Sequence, residues 1–328
     1  GYYRFTMSEQ DWAGLLANSK RQNTNEMMAM LGSLSGAFNS GDLDVATLMS
    51  IAPELIASPD WQVSTAPISH MSFIYERMAD EGQKEALEKR FIEYYAGKLK
   101  ETGIETTEDR DRAQLQSALV DFLAKTAKDA GLRTQLLEMA RAYTGFDGDG
   151  RIHPEAANPI IIGTAMIIAV DELGDDFIDH LRDLALASTD AVVRSRTLTA
   201  IANTKNPVKA AEILELVFSE DIRDNEISRI IYPQALMEET RDATWAWFQQ
   251  NFDQILTRIP ETSWGRMTFI GGAFCNTDKQ AEVKAFFDQR IKDLTGGPRS
   301  LAKTLEGIDL CIAKVQHHKA DLDAWLGQ

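Results

Sequence analysis

The sequence predicts an all-α protein, and three observations carry that prediction. Apolar residues recur at helical spacing along nearly the whole chain, strand-like alternation is absent after about residue 7, and helix start and stop signals punctuate the pattern. The helical period is plain in Leu87, Phe91, Tyr94 and Tyr95, and again in Leu115, Leu119, Phe122 and Leu123. It returns in Ile213, Leu214, Val217 and Phe218, in Val283, Phe286, Phe287 and Ile291, and in Leu301, Leu305, Ile308, Ile312 and Val315.

Taken in order, the chain opens on Tyr2, Tyr3, Arg4 and Phe5, an aromatic run that reads as a short strand over residues 1–7 and is unlike a signal peptide. The start at Gly1 without Met sets the expectation that the chain continues a larger protein. Residues 8–145 are expected to form an N-terminal helical bundle, beginning at Ser8 and Asp11, which have capping-box spacing. Gly103, Gly131, Gly145 and Gly174 fall where helices would end. The glycine-rich stretch from Gly145 to Pro154 is the expected break before a C-terminal helical arc over residues 146–328. Thr277 and Gln280 give a second capping-box spacing within that arc. Many helices joined by short loops form antiparallel pairs, and stacked pairs give an irregular superhelix of the HEAT or armadillo kind. No strict sequence repeat marks the units.

Composition narrows the function. Fifty acidic residues against thirty-four basic ones leave a net charge of -16, which argues against a nucleic-acid partner, since phosphate backbones require clustered Lys and Arg. The longest strongly apolar stretch, Pro159 to Val170, is too short to cross a bilayer and reads as a buried helix, so no membrane partner is expected. The two cysteines, Cys275 and Cys311, lie in helical segments and read as buried thiols, with their pairing left open.

Catalytic signatures are missing. A zinc peptidase site needs two His four residues apart on one helix with a Glu between them, and His70, His153, His180, His317 and His318 do not have that company. A di-iron site needs Glu three residues before His, but those positions hold Pro67, Gly150, Phe177, Lys314 and Val315. His317 and His318 are expected at the solvent or at a helix end. The segment from Gly145 to Ile152 resembles the middle of a calcium loop but lacks its opening carboxylate and its closing Glu, so it reads as a turn. Gly271-Gly272 and Gly296-Gly297 lack the Lys and Ser/Thr of a phosphate loop and read as helix terminators. Trp245, Trp247, Phe248 and Phe252 read as core. Arg223, Arg229 and Arg266 are the candidate peptide-facing residues, because forked guanidinium groups on a concave helical face suit a peptide carboxylate; Arg241 belongs to the same set of prominent arginines.

A resemblance runs nearly end to end. Gly1-Tyr2-Tyr3-Arg4-Phe5, then Arg194 to Ala202 before Asn206-Pro207, then Ile222-Arg223-Asp224-Asn225-Glu226 follow in family order. Thr244-Trp245-Ala246-Trp247-Phe248 with Asn251-Phe252-Asp253 comes next, and Phe274-Cys275, Glu282-Val283, Phe286-Phe287, Leu305-Glu306-Gly307-Ile308 and Trp325-Leu326 close the series. On these residues the chain resembles the C-terminal helical domain of aminopeptidase N-type zinc metallo-aminopeptidases, the group of the endoplasmic-reticulum and puromycin-sensitive enzymes. It departs where the family commonly has Gln-Asp in place of Asn225-Glu226, and Trp in place of Phe252.

The resemblance implies a domain that encloses a peptide chamber over a catalytic domain absent from this chain. It implies zinc in that missing domain and none here, upstream catalytic and β-sandwich domains as partners, and peptides as substrates. The parent enzyme would remove N-terminal amino acids, while this chain alone would not. A free-standing HEAT-like interaction scaffold is the alternative that the helix pattern allows.

Overall fold

Helix starts in this chain are set largely by Asp and Asn side chains. The computed structural model describes residues 4–17 and 22–327, and among them there are helices and turns but no strand. Gly1 to Tyr3 of the expected opening strand lie outside the described residues, and Arg4 to Met7 carry no regular structure. The chain divides into two compact units, one running to Arg133 and taking in the chain from Ala313 onward, the other Thr134–Ile312.

The first unit is built from α1 (Glu9–Ala17), α2 (Thr24–Ser40), α3 (Val45–Ile56), α4 (Trp61–Thr65), α5 (Ile68–Arg77), α6 (Glu81–Thr102) and α7 (Arg110–Asp121). Helix α7 runs on directly into a π-helical turn, Phe122–Thr126. Asn23 and Asp80 close full capping boxes with Glu26 and Gln83, and Asp44, Asp60 and Asp109 cap α3, α4 and α7. These caps satisfy orphan N–H groups and place negative charge at the positive end of each helix dipole, so part of the acidic excess has a local structural use. The core of this unit gathers Trp12, Phe38, Leu48, Phe91, Tyr95 and Leu119, all fully buried, with the Tyr95 hydroxyl donating to the Ser64 carbonyl at 3.1 Å.

The second unit takes in most of α8 (Ala130–Thr144), then α9 (Ile162–Leu173), α10 (Asp175–Ala187), α11 (Ala191–Ile201), α12 (Pro207–Glu215) and α13 (Ile227–Leu236). It continues through α14 (Arg241–Arg258), α15 (Glu261–Trp264), a 3-10 stretch Gly265–Ala273, α16 (Thr277–Asp288) and the first part of α17 (Gly297–Leu326). Packing follows chain order: α10 and α9 lie on α11, α11 on α13, and α13 on α14. The apolar stretch expected as a buried helix is α9, with Ile162, Ala165, Met166, Ile168, Ala169 and Val170 buried. The expected aromatic core is present too, since Trp245 and Phe248 stack at 5.7 Å and Phe252, Phe286 and Phe287 close around them.

Several local expectations need correction. Gly103, Gly145 and Gly174 do follow helices with φ of 71°, 59° and 68°, but Gly131 stands in the first turn of α8, and the left-handed residue before that helix is Lys128, with φ 52°. The cap of α16 is Asn276, which accepts from Lys279 N–H at 2.8 Å, so Thr277 is the first helical residue. Gly271 and Gly272 sit inside the 3-10 stretch and end nothing; a Cβ at Gly271 would lie 2.7 Å from Val283 Cγ2, so glycine is needed there for close approach. Gly296, at φ 70°, precedes α17 and does not terminate a helix.

The cysteines are not thiols. Cys275 and Cys311 are joined at an S–S distance of 2.08 Å, with their Cα atoms 5.4 Å apart, inside the range that a disulfide requires. His318 is also not at the solvent: it is fully buried, stacks on Phe38 with ring centroids 4.2 Å apart, and its Nε2–H donates to the Phe38 carbonyl at 2.6 Å. His317 is exposed and lies over Gly41, as expected for that residue.

Candidate functional site

The three arginines singled out in the sequence fall on one stretch of surface in the second unit. Arg223 and Arg229 line a depression of about 400 Å³ together with Ala191, Val192, Ser195, Arg196 and Asn225. Arg266 lines a second depression of about 410 Å³ with Ile227, Ile231, Tyr232, Ile259, Met267 and Ile270. Asn225 borders both, so the two adjoin across the start of α13. The first carries three arginines with Glu226 in its lining, and the second is mainly apolar, with Asp224 and Arg266 as its charged wall residues.

Helical geometry explains this division. Residues 226 and 229 are three apart and share one face of the first turns of α13, while 227, 228 and 231 share the next. Arg196 comes from the middle of α11 and donates to the Pro159 carbonyl at 2.7 Å, which fixes its guanidinium beside the same depression. Sequence reading missed Arg196, although it stands inside the Arg194–Ala202 stretch. Arg241 lines neither depression; it starts α14 and donates to the Leu236 carbonyl at 3.2 Å.

Beneath the cationic depression lies a buried ion pair. Arg194 Nε and Nη2 donate to the two Glu226 carboxylate oxygens at 2.6 and 2.7 Å, and the residues are 3% and 5% exposed. The rest of the guanidinium is satisfied by the Ala185 and Asp221 carbonyls, each at 2.7 Å. Burial acts to raise the Glu226 carboxyl, but the Arg194 guanidinium and the Arg223 backbone N–H outweigh it and hold the group below its ordinary range. Hydrogen bonding to Glu226 raises Arg194 in turn. Because this pair is internally neutral, the charge lining the depression is left to Arg196, Arg223 and Arg229. Among the described residues no carboxylate reaches Arg196, Arg229 or Arg266 within ion-pair distance, and Arg223 comes only to 3.9 Å from the already committed Glu226. In a chain of net charge -16, such unneutralised guanidinium groups are suited to an anionic or carbonyl-rich ligand.

Other candidates are absorbed by structure. In the calcium-like turn Asp147 pairs with Arg141 at 2.5 Å, and Asp149 accepts from Arg151 N–H and meets His153 Nε2 at 2.9 Å, so both carboxylates have protein partners. Among the described residues no group of three or more His, Cys, Asp or Glu is arranged to hold a metal ion. No helix among them is long and apolar enough to cross a membrane. Trp247, partly exposed, leans on Phe218 and donates to Glu215 at 2.8 Å.

Comparison with known proteins gives these features a family. Residues 1–310 match the model of the ERAP1-like C-terminal domain. Aminopeptidase 2 of Candida albicans is 24% identical over 322 residues, 93% of this chain and 33% of that protein. Aminopeptidase M1-C of Oryza sativa subsp. japonica is 25% identical over 132 residues, 40% of this chain and 15% of the relative. Aminopeptidase N of Lactococcus lactis subsp. lactis (strain IL1403) is 28% identical over 127 residues, 38% of this chain and 15% of the relative. The chain therefore spans a third or less of each of these relatives, while the family match over residues 1–310 takes in both depressions and the ion pair beneath them. The chain belongs to the ERAP1-like C-terminal domain family.

Proposed function

We propose that this chain, with residues 8–328 acting as one family domain, is the helical part of a zinc aminopeptidase that removes N-terminal amino acids from peptides. In this reading a catalytic domain elsewhere in the same polypeptide holds the zinc, a β-sandwich domain precedes the helices, and the helical domain encloses the chamber through which peptides reach the metal. Its physical contribution is to exclude bulk water and folded proteins and to hold the peptide away from the scissile bond. The observation that carries the reading is the family match over residues 1–310, joined to relatives that are all named aminopeptidases. A free-standing scaffold is not favoured, because it gives no account of that match.

Arg223, Arg229 and Arg266 are the proposed peptide-facing residues. Their forked donors suit backbone carbonyls and carboxylates, and the apolar depression beside them suits a side chain. Replacing Arg223 and Arg229 together by Ala in the complete enzyme is expected to raise KM for peptides of ten or so residues by about tenfold or more, the scale of one or two charge-assisted hydrogen bonds. Turnover of a single-residue amide, which cannot reach this surface, should stay within about twofold. Unchanged kinetics on long peptides would dismiss the assignment.

A further inference from the structure

Arg223 is held by its backbone, and one residue holds it at both ends. The Glu226 carboxylate accepts the Arg223 N–H at 3.0 Å, and the Glu226 N–H donates to the Arg223 carbonyl at 2.8 Å. The turn from Arg223 to Glu226 is thus closed twice by Glu226, at the entrance to α13. Glu226 cannot move freely, because Arg194 on α11 grips both of its oxygens, and Arg194 is itself tied to the Ala185 and Asp221 carbonyls. On the other flank Arg258 of α14 donates to the Val217, Ser219 and Ile222 carbonyls at 2.8, 3.1 and 2.7 Å, which holds the strand of chain leading into Arg223. The Arg223 side chain itself is 46% exposed.

We infer that the buried Arg194–Glu226 pair is a positioning device for Arg223, fixing where its guanidinium stands over the cationic depression; the inference rests on the peptide-facing reading of Arg223. A pair that served stability alone would not need its carboxylate to accept the backbone N–H of an exposed residue as well, and replacing buried pairs by apolar groups is often neutral for stability. Preorganising a guanidinium lowers the entropy lost when a ligand carboxylate or carbonyl docks. Glu226 touches no ligand in this arrangement; its influence passes through Arg223.

The test is a double-mutant cycle in the complete enzyme, read as KM and kcat for a ten-residue peptide and for a single-residue amide. Glu226→Gln is expected to raise peptide KM about five- to tenfold while leaving amide turnover within about twofold, and Arg223→Ala to raise peptide KM by a similar factor. The double variant R223A/E226Q should be no worse than R223A alone, because Glu226 acts only through Arg223. Glu226→Gln leaves Arg194 without its counter-charge, so Glu226→Asp serves if that variant does not fold: it keeps the charge, shortens the reach, and is expected to raise peptide KM about threefold, an effect that vanishes in the R223A background. Additive effects, or wild-type peptide KM in the folded Glu226 variant, overturn the positioning role. Wild-type peptide KM in R223A itself is a different result: it removes the peptide-facing reading first and the positioning role with it.

Discussion

His70 shows how burial decides a titration. It is 6% exposed, its Nε2 lies 2.8 Å from Ser35 Oγ, and its ring tilts against Phe38 at 4.8 Å. Burial first, then the nearby Lys314 and His318, pushes its pKa from 6.5 down to about 4. The folded state therefore favours neutral His70, and the unfolded chain binds the proton more readily. Stability from this source is complete above pH 6.5 and is lost as pH falls towards 4, by roughly 3 kcal/mol in all. Urea unfolding midpoints measured between pH 7 and 4 should fall for the native chain and fall markedly less for His70→Gln; parallel curves would show that His70 is not the group responsible. The same neighbourhood explains a failure of sequence reading. Consecutive His317 and His318 point to different faces of α17, and the apolar series through Ile308 and Val315 continues by helical steps onto 318 and Leu322, so the inward residue was legible; its partner Phe38, 280 residues away, was not.

At the scale of elements, the disulfide ties the residue before the cap of α16 to the middle of α17 across 36 positions. Closing a loop of that size restricts the unfolded chain by about 4 kcal/mol in the chain-entropy model, so Cys275→Ser with Cys311→Ser is expected to lower Tm by roughly 5–10 °C. Differential scanning calorimetry of the variant, and of the native chain with and without a reducing dithiol, checks this; equal Tm values would show that the bond adds no stability. The helices themselves were readable in advance because their periodicity and their Asp and Asn caps are local. What was not readable is tertiary. Thr277 and Gln280 have the spacing of a capping box, yet Gln280 sends its amide to the Leu305 carbonyl and to Asp309, on α17, leaving the cap to Asn276. Arg194 gave no sign in the sequence that it would be buried, because its partner Glu226 lies 32 residues further on.

At the scale of the whole molecule, a net charge of -16 surrounds a small surface where Arg196, Arg223, Arg229 and Arg266 gather. Opposed fields of this kind weaken when salt screens them over about 8 Å at physiological ionic strength. In the complete enzyme, KM for an acidic ten-residue peptide should rise about threefold between 50 and 500 mM NaCl, and the rise should disappear in the Arg223→Ala, Arg229→Ala variant. A salt response that survives those substitutions places the attraction elsewhere. The arginines were legible as exceptions in an acidic chain, and three of the four were chosen from sequence. Their grouping around Asn225 was not, since it depends on how α11, α13 and the 3-10 stretch pack.

The disulfide has a practical consequence as well. Both of the two cysteines in the sequence are consumed by it, so the chain offers no thiol to an alkylating reagent under non-reducing conditions. A single cysteine introduced at a well-exposed site such as Val208, which is 66% exposed at the start of α12, would be the sole point of attachment for a fluorophore or spin label. Spectroscopic rulers can thus be installed on this domain one position at a time, with no native sulfur to remove beforehand.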